Sequence, residues 1–269
     1  MESTECIERV PATPEYVLTV LQDWYRTEYC CEYGRFPQTE FQFETTVDDW
    51  DCELGYEFYS WKDLARYLNT MWRLELDQQM WKEVLYPEED QTLRGVCELI
   101  ARHVTVPVIR EETFFGKSCR PASAFLAIRE LLEAEGVDVS DVGPATELGP
   151  YLKAHFRALV GSLLLLVPGR LPGVCVVRTT LQKVLNRVIF CLIGLGMAGL
   201  LLACVEPRVL YLFLILVPLY LVVHFAADRL RPARIELGEL QTFRDLAELV
   251  AGTDLTGANT LRISSCRFG

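Results

Sequence analysis

The stretch that governs the reading of this chain is Val188-Ile-Phe-Cys-Leu-Ile-Gly-Leu-Gly-Met-Ala-Gly-Leu-Leu-Leu-Ala-Cys-Val205, eighteen residues without a charge. As a helix it extends roughly 27 Å, close to the thickness of a bilayer's hydrocarbon core. Glu206-Pro207-Arg208 interrupts it, and Val209 to Ala227 supplies a second uncharged run. Pro207 ends the first helix and the short turn forces an antiparallel return. Neither run has a polar stripe of the kind that a helix half-exposed to water carries. The expectation is a transmembrane hairpin, residues 184–228, with spans 188–205 and 209–227 and the lipid bilayer as its surroundings.

The flanks give the hairpin a direction. Arg178, Lys183 and Arg187 precede it, Arg229, Arg231 and Arg234 follow it, and the turn holds only Arg208 beside Glu206. Positive charge marks the cytoplasmic side, so the expectation is a multi-pass protein of the cell membrane with both termini cytoplasmic. The acidic start, Met1-Glu2-Ser3-Thr4-Glu5, differs from a secretory leader and points the same way. Gly194, Gly196, Ala198, Gly199 and Ala203 form a small-residue face suited to close helix packing, within the hairpin or in a homo-oligomer. His224, one turn from Asp228, is the ionisable side chain within the runs and is read as an interfacial anchor, with a functional role as the alternative.

Outside the hairpin the chain reads as a mainly α protein with minor β elements. Residues 1–60 are acidic and rich in aromatics, 61–180 form a small helical cytoplasmic domain, and 229–269 form a short tail with one helix. The net charge of −11 is concentrated: residues 1–60 hold fourteen acidic and three basic side chains, whereas the remainder holds 23 of each. Without a Lys/Arg cluster, nucleic acid is not a partner. An acidic docking surface for a basic protein is a candidate instead.

Thr13-Pro14-Glu15 opens a helix over 15–29, and 34–55 reads as loop or short strands. Ser60 and Asp63 cap a helix whose apolar face is Leu64, Tyr67, Leu68 and Met71. Further helices fall at 77–85, 92–103 and 121–135, with a strand near 104–109. Ala158 to Pro168 is too short to span a bilayer and is read as a buried helix, with a surface-lying segment as the alternative.

Gln91-Thr-Leu-Arg-Gly-Val-Cys-Glu-Leu-Ile-Ala101 and Gln241-Thr-Phe-Arg-Asp-Leu-Ala-Glu-Leu-Val-Ala251 agree at six of eleven positions. Convergence on a short amphipathic helix and a duplicated unit both account for this. The pattern resembles the last helix of acyl-carrier domains. The attachment motif of that family, Asp-Ser-Leu at a helix start, is absent, so the resemblance carries no function.

Catalytic and cofactor motifs do not emerge. Gly116-Lys117-Ser118 ends like a phosphate-binding loop but lacks the glycine five positions earlier, where Glu111 stands. His103, His155 and His224 have no metal-ligand spacing, and no cofactor is expected. The ten cysteines show no CxxC pair and read as reduced thiols, the vicinal Cys30-Cys31 being the one redox candidate. The function expected is a membrane-anchored interaction or regulatory protein with a cytoplasmic binding domain. The alternative is a membrane-associated enzyme acting on a lipid or other apolar substrate, and transport would need an oligomer.

Overall fold

In a computed structural model, which describes residues 7–33, 35–54, 60–111, 113–114, 117–177, 180–203, 217–223, 225 and 234–252, the chain is mainly helical. It divides into two compact units, Met1–Cys175 with Glu236–Gly269, and Val176–Ile235.

The first unit opens with strand β1 (Ile7–Pro11), which pairs antiparallel with β2 (Thr105–Ile109), Arg9 lying opposite Pro107. Between them come α1 (Pro14–Tyr33), α2 (Val47–Glu53), α3 (Trp61–Trp72), α4 (Gln78–Leu85) and α5 (Leu93–His103). Caps written in the sequence set several of these starts. Thr13 Oγ1 accepts the Tyr16 amide (3.3 Å) and Asp77 Oδ1 accepts the Met80 amide (2.9 Å). Ser60 precedes α3 as expected, but its hydroxyl donates to the Asp63 carboxylate (2.8 Å) instead of accepting a helix amide. The apolar faces of these helices meet in one core, where Val17, Leu68, Trp81, Leu93 and Ile100 are all fully buried.

After β2 the chain passes through the short β3 (Thr113–Phe114) and β4 (Lys117–Ser118) into α6 (Arg120–Ala134) and α7 (Leu148–Leu166). It then leaves along β5 (Val174–Val177) and returns along β6 (Arg234–Leu237), which pairs with β5, before α9 (Phe243–Ala251) ends the described fold. The segment 158–168 belongs to α7, where Leu159, Val160, Leu163, Leu164 and Leu166 are buried, followed by buried Val167.

The first unit contains the same backbone frame twice. Around α5, the amide of Val47 donates to Gln91 O (2.9 Å), that of Leu93 to Thr45 O (2.9 Å) and that of Arg94 to Phe43 O (3.0 Å). Around α9, Leu148 donates to Gln241 O (2.8 Å), Phe243 to Thr146 O (3.1 Å) and Arg244 to Pro144 O (2.8 Å). In each frame a threonine hydroxyl caps the preceding loop: Thr45 Oγ1 accepts from Gln42 and Thr146 Oγ1 from Gly143, both at 2.9 Å. Single β-bridges, Thr46 with Thr92 and Glu147 with Thr242, complete the match.

Burial repeats as well. Val17, Val20, Leu21 and Tyr25 of α1 correspond to Ala124, Ala127, Ile128 and Leu132 of α6; Leu64, Ala65 and Leu68 of α3 correspond to Leu159, Val160 and Leu163 of α7. α1 packs on α5 as α6 packs on α9. α7 joins the counterparts of α2 and α3 across a kink, with His155 non-helical at φ −129°. We refer to the two as the first and second copies. The second unit is thus inserted in the second copy, at the position in the chain where the first copy has α4.

The second unit contains α8 (Thr180–Ala203) and a further helical stretch over 217–223. Among the described residues no helix is long and apolar enough to cross a membrane. This overturns the expected transmembrane hairpin over 188–205 and 209–227, and with it the placement as a multi-pass protein of the cell membrane with cytoplasmic termini. α8 begins at Thr180, so its first two turns take in Gln182, Lys183, Asn186 and Arg187. Within α8 the uncharged run 188–203 covers sixteen residues, roughly 24 Å of helix against the roughly 30 Å of a hydrocarbon core. Of the second run, only 217–223 and 225 are described. α8 does bear exposed apolar side chains, Phe190 at 74% and Met197 at 60%, while Leu192 is buried.

Candidate functional site

The site begins at α2, a helix of seven residues. Thr46 Oγ1 accepts the Asp49 amide (3.0 Å), and Asp48 and Asp49 occupy the first turn, where carboxylates oppose the positive end of the helix dipole. The amide of Asp48 donates to Glu88 O (3.2 Å), which holds the turn after α4 against α2. That turn closes on itself through the amides of Asp90 and Gln91, both donating to Pro87 O. Asp48, Asp49, Glu89 and Asp90 are exposed and Glu88 is half-buried. The Asp48 bond to Glu88 thus sets two acidic segments, 48–49 and 88–90, beside each other at the surface, and this face is called the ledge below.

Among the described residues, none of the five is in an ion pair. Nearby Glu44 contrasts with them. Its carboxylate pairs with Arg94 (2.6 Å), and that hydrogen bond holds its carboxyl below the usual carboxylate range. The Arg94 guanidinium also lies 4.7 Å from the Phe43 ring centroid.

Beside the ledge stand two aromatic rings. Trp61, at the start of α3, and Tyr86, at the end of α4, have centroids 6.4 Å apart and planes inclined at 45°. The Lys62 ammonium lies 5.6 Å from the Trp61 centroid and the Lys82 ammonium 5.9 Å from that of Tyr86. Tyr86 is 51% exposed.

The second copy separates what the fold requires from what it does not. The bonds of Val47 and Leu148 to Gln91 and Gln241 fix the register between the copies. Asp48, Asp49, Glu88 and Asp90 then correspond to Gly149, Pro150, Gly238 and Leu240, and only Glu89 keeps an acid, as Glu239. The bonds shared by the two copies form around Gly-Pro and Leu without these acids, whereas the Asp48 bond to Glu88 belongs to the first copy among the described residues.

The residues singled out from sequence lie elsewhere. Gly194 and Ala198 are exposed and Gly196 and Gly199 half-buried on α8; a Cβ added at Gly194 or Gly196 would meet nothing within 4 Å. The Ala203 side chain, His224 and Asp228 lie outside the described residues. His103 Nδ1 bonds within its own helix to Leu99 O (2.9 Å), whereas His155 is exposed at the α7 kink beside Tyr151. No hydrogen bond or ion pair joins either to a carboxylate among the described residues. Burial, followed by the Glu28 charge, pushes the Cys31 thiol up to about 11, so it stays protonated at neutral pH and is a poor nucleophile.

A concavity of about 510 Å³ lies where β1 meets α6, lined by Glu8, Arg9, Arg110 and Glu130 with Ile7, Leu131 and Ala134. It holds no histidine, cysteine or hydroxyl side chain. Among the described residues no group of three or more His, Cys, Asp or Glu side chains could hold a metal ion.

The expectation of loop or short strands over 34–55 does not place α2. The signal it overlooks is Thr46 as a cap three residues before Asp49, which brings the second set of carboxylates to the same place. No protein-family model, no curated protein and no solved structure matches this chain.

Proposed function

We propose that this chain is a helical interaction or regulatory protein, and that the first copy binds a basic partner protein through the ledge formed by Asp48, Asp49, Glu88, Glu89 and Asp90. The observation that carries this reading is the difference between the copies. Four of five ledge carboxylates are replaced by Gly, Pro or Leu in the second copy, which keeps the counterparts of the Val47, Leu93 and Arg94 bonds but, among the described residues, not that of the Asp48 bond to Glu88. An exposed acidic face that, among the described residues, has no ion pair of its own suits an incoming positive charge. The concentration of the net charge in residues 1–60 adds long-range attraction for such a partner.

Hydrogen exchange on the full-length chain tests the reading. Adding an arginine-rich peptide should protect the amides of residues 48–49 and 88–91 and leave 149 and 238–241 unchanged. Equal protection in both copies, or none in the first, would refute it.

A further inference from the structure

We propose that the Trp61–Tyr86 ring pair anchors the partner on this face, and that the group it takes is an arginine side chain from an arginine-rich segment of a protein. This rests on the reading that the first copy binds a basic partner. It adds the chemistry by which that partner is chosen.

The rings already hold cations. Lys62 and Lys82 place their ammonium groups 5.6 and 5.9 Å from the two centroids, near the roughly 6 Å outer limit of a cation–π contact. Both lysines are exposed, and among the described residues neither is in an ion pair. A loosely held, strongly hydrated ammonium is readily displaced. A guanidinium is planar and more weakly hydrated, so it stacks better on an aromatic face.

The surroundings favour the exchange. Glu88, Glu89 and Asp90 follow Tyr86 by two to four residues, and Asp48 is tied to Glu88 through its amide. A guanidinium resting on Tyr86 therefore has carboxylates within reach of its remaining donors. In the second copy the position of Tyr86 is Glu236, so this ring is absent where the acidic ledge is also absent. Trp61 keeps an aromatic counterpart in Phe156, so the second copy loses the Tyr86 ring together with four of the five acids.

The test is calorimetric titration of the full-length chain with an arginine-rich peptide, beside a peptide of equal length with citrulline in place of arginine. The arginine peptide should bind and the citrulline peptide should not. Tyr86→Phe should keep the affinity, whereas Tyr86→Leu should weaken it about five-fold. Lys82→Gln should tighten binding by removing the resident competitor. Undiminished affinity in Tyr86→Leu, or weaker binding in Lys82→Gln, would overturn the anchor and leave the acidic-face reading standing. Failure of the arginine peptide to bind the parent chain would overturn both.

Discussion

The Asp23 carboxylate in α1 accepts the backbone amide of Gly169, 146 residues further along the chain. α1 belongs to the first copy, and Gly169 follows the helix that completes the core of the second. One turn of α1 back towards its start, and then another, Tyr16 makes a companion link, its hydroxyl donating to Leu165 O (2.5 Å). Gly169 has φ +77°, a left-handed backbone that favours glycine, and Asp23 holds its amide in place. The two copies are thus joined by directional bonds as well as by packing.

Asp23 makes stability depend on pH in a direction opposite to most paired carboxylates. Burial raises its pKa, against the lowering effects of the Gly169 amide and of Arg26. The folded chain therefore binds this proton more tightly than the unfolded one. The associated stability is fully present below the unfolded carboxylate value of about 4 and is lost as pH rises through the raised folded value. Urea unfolding of the parent and Asp23→Asn between mildly acidic and neutral pH should show the parent losing more stability as pH rises. Parallel curves would show that Asp23 is not buried as described.

Gly173 is pressed by Phe36. A Cβ placed there would come within 2.0 Å of the Phe36 ring, so Gly173→Ala should destabilise the protein by about 1–3 kcal/mol. Adding Phe36→Ala should recover part of that loss, which appears as non-additivity in a double-mutant cycle. Strictly additive effects would show that the two residues do not touch.

The caps of α5 and α9 distinguish two helices whose sequences are closely alike. Thr242 and Asp245 form a reciprocal capping box, whereas the Thr92 side chain makes no cap bond. Thr242→Ala should reduce stability by about 1 kcal/mol, and Thr92→Ala by much less. Chemical denaturation of both variants reads the difference directly.

Much of this fold is legible from local pattern, and the places where it is not have physical causes. Leu64 and Leu68 announce α3 by their spacing, and Pro14 and Thr13 announce the start of α1. α2 escapes because seven residues dominated by acids show no apolar stripe. The first half of α7 escapes because Gly149 and Pro150 look like a turn and Lys153 and Arg157 break the apolar run. The echo between 91–101 and 241–251 is visible as sequence. Its other half is carried by backbone hydrogen bonds to Thr45 and Thr146, whose neighbours have diverged. The hairpin misleads because the uncharged run 188–205 looks self-contained, whereas the helix that holds it, α8, starts at Thr180 and takes in Lys183 and Arg187. The acidic ledge is legible only in fragments, since it exists through the contact of Asp48 with Glu88.

The claim that the ledge of the first copy recruits a basic partner is tested most directly by the salt dependence of binding. The dissociation constant of an arginine-rich peptide should be measured over a salt series, for the full-length parent and for the variant Asp48→Asn, Asp49→Asn, Glu89→Gln and Asp90→Asn. Charges beyond roughly 10 Å are screened at 0.1 M salt, and an exposed ledge is sensitive to that screening. The account predicts that the parent weakens steeply as salt rises. The neutralised variant should bind about ten-fold or more weakly at low salt, with a much shallower dependence. Equal affinities and equal slopes for the two proteins would contradict it.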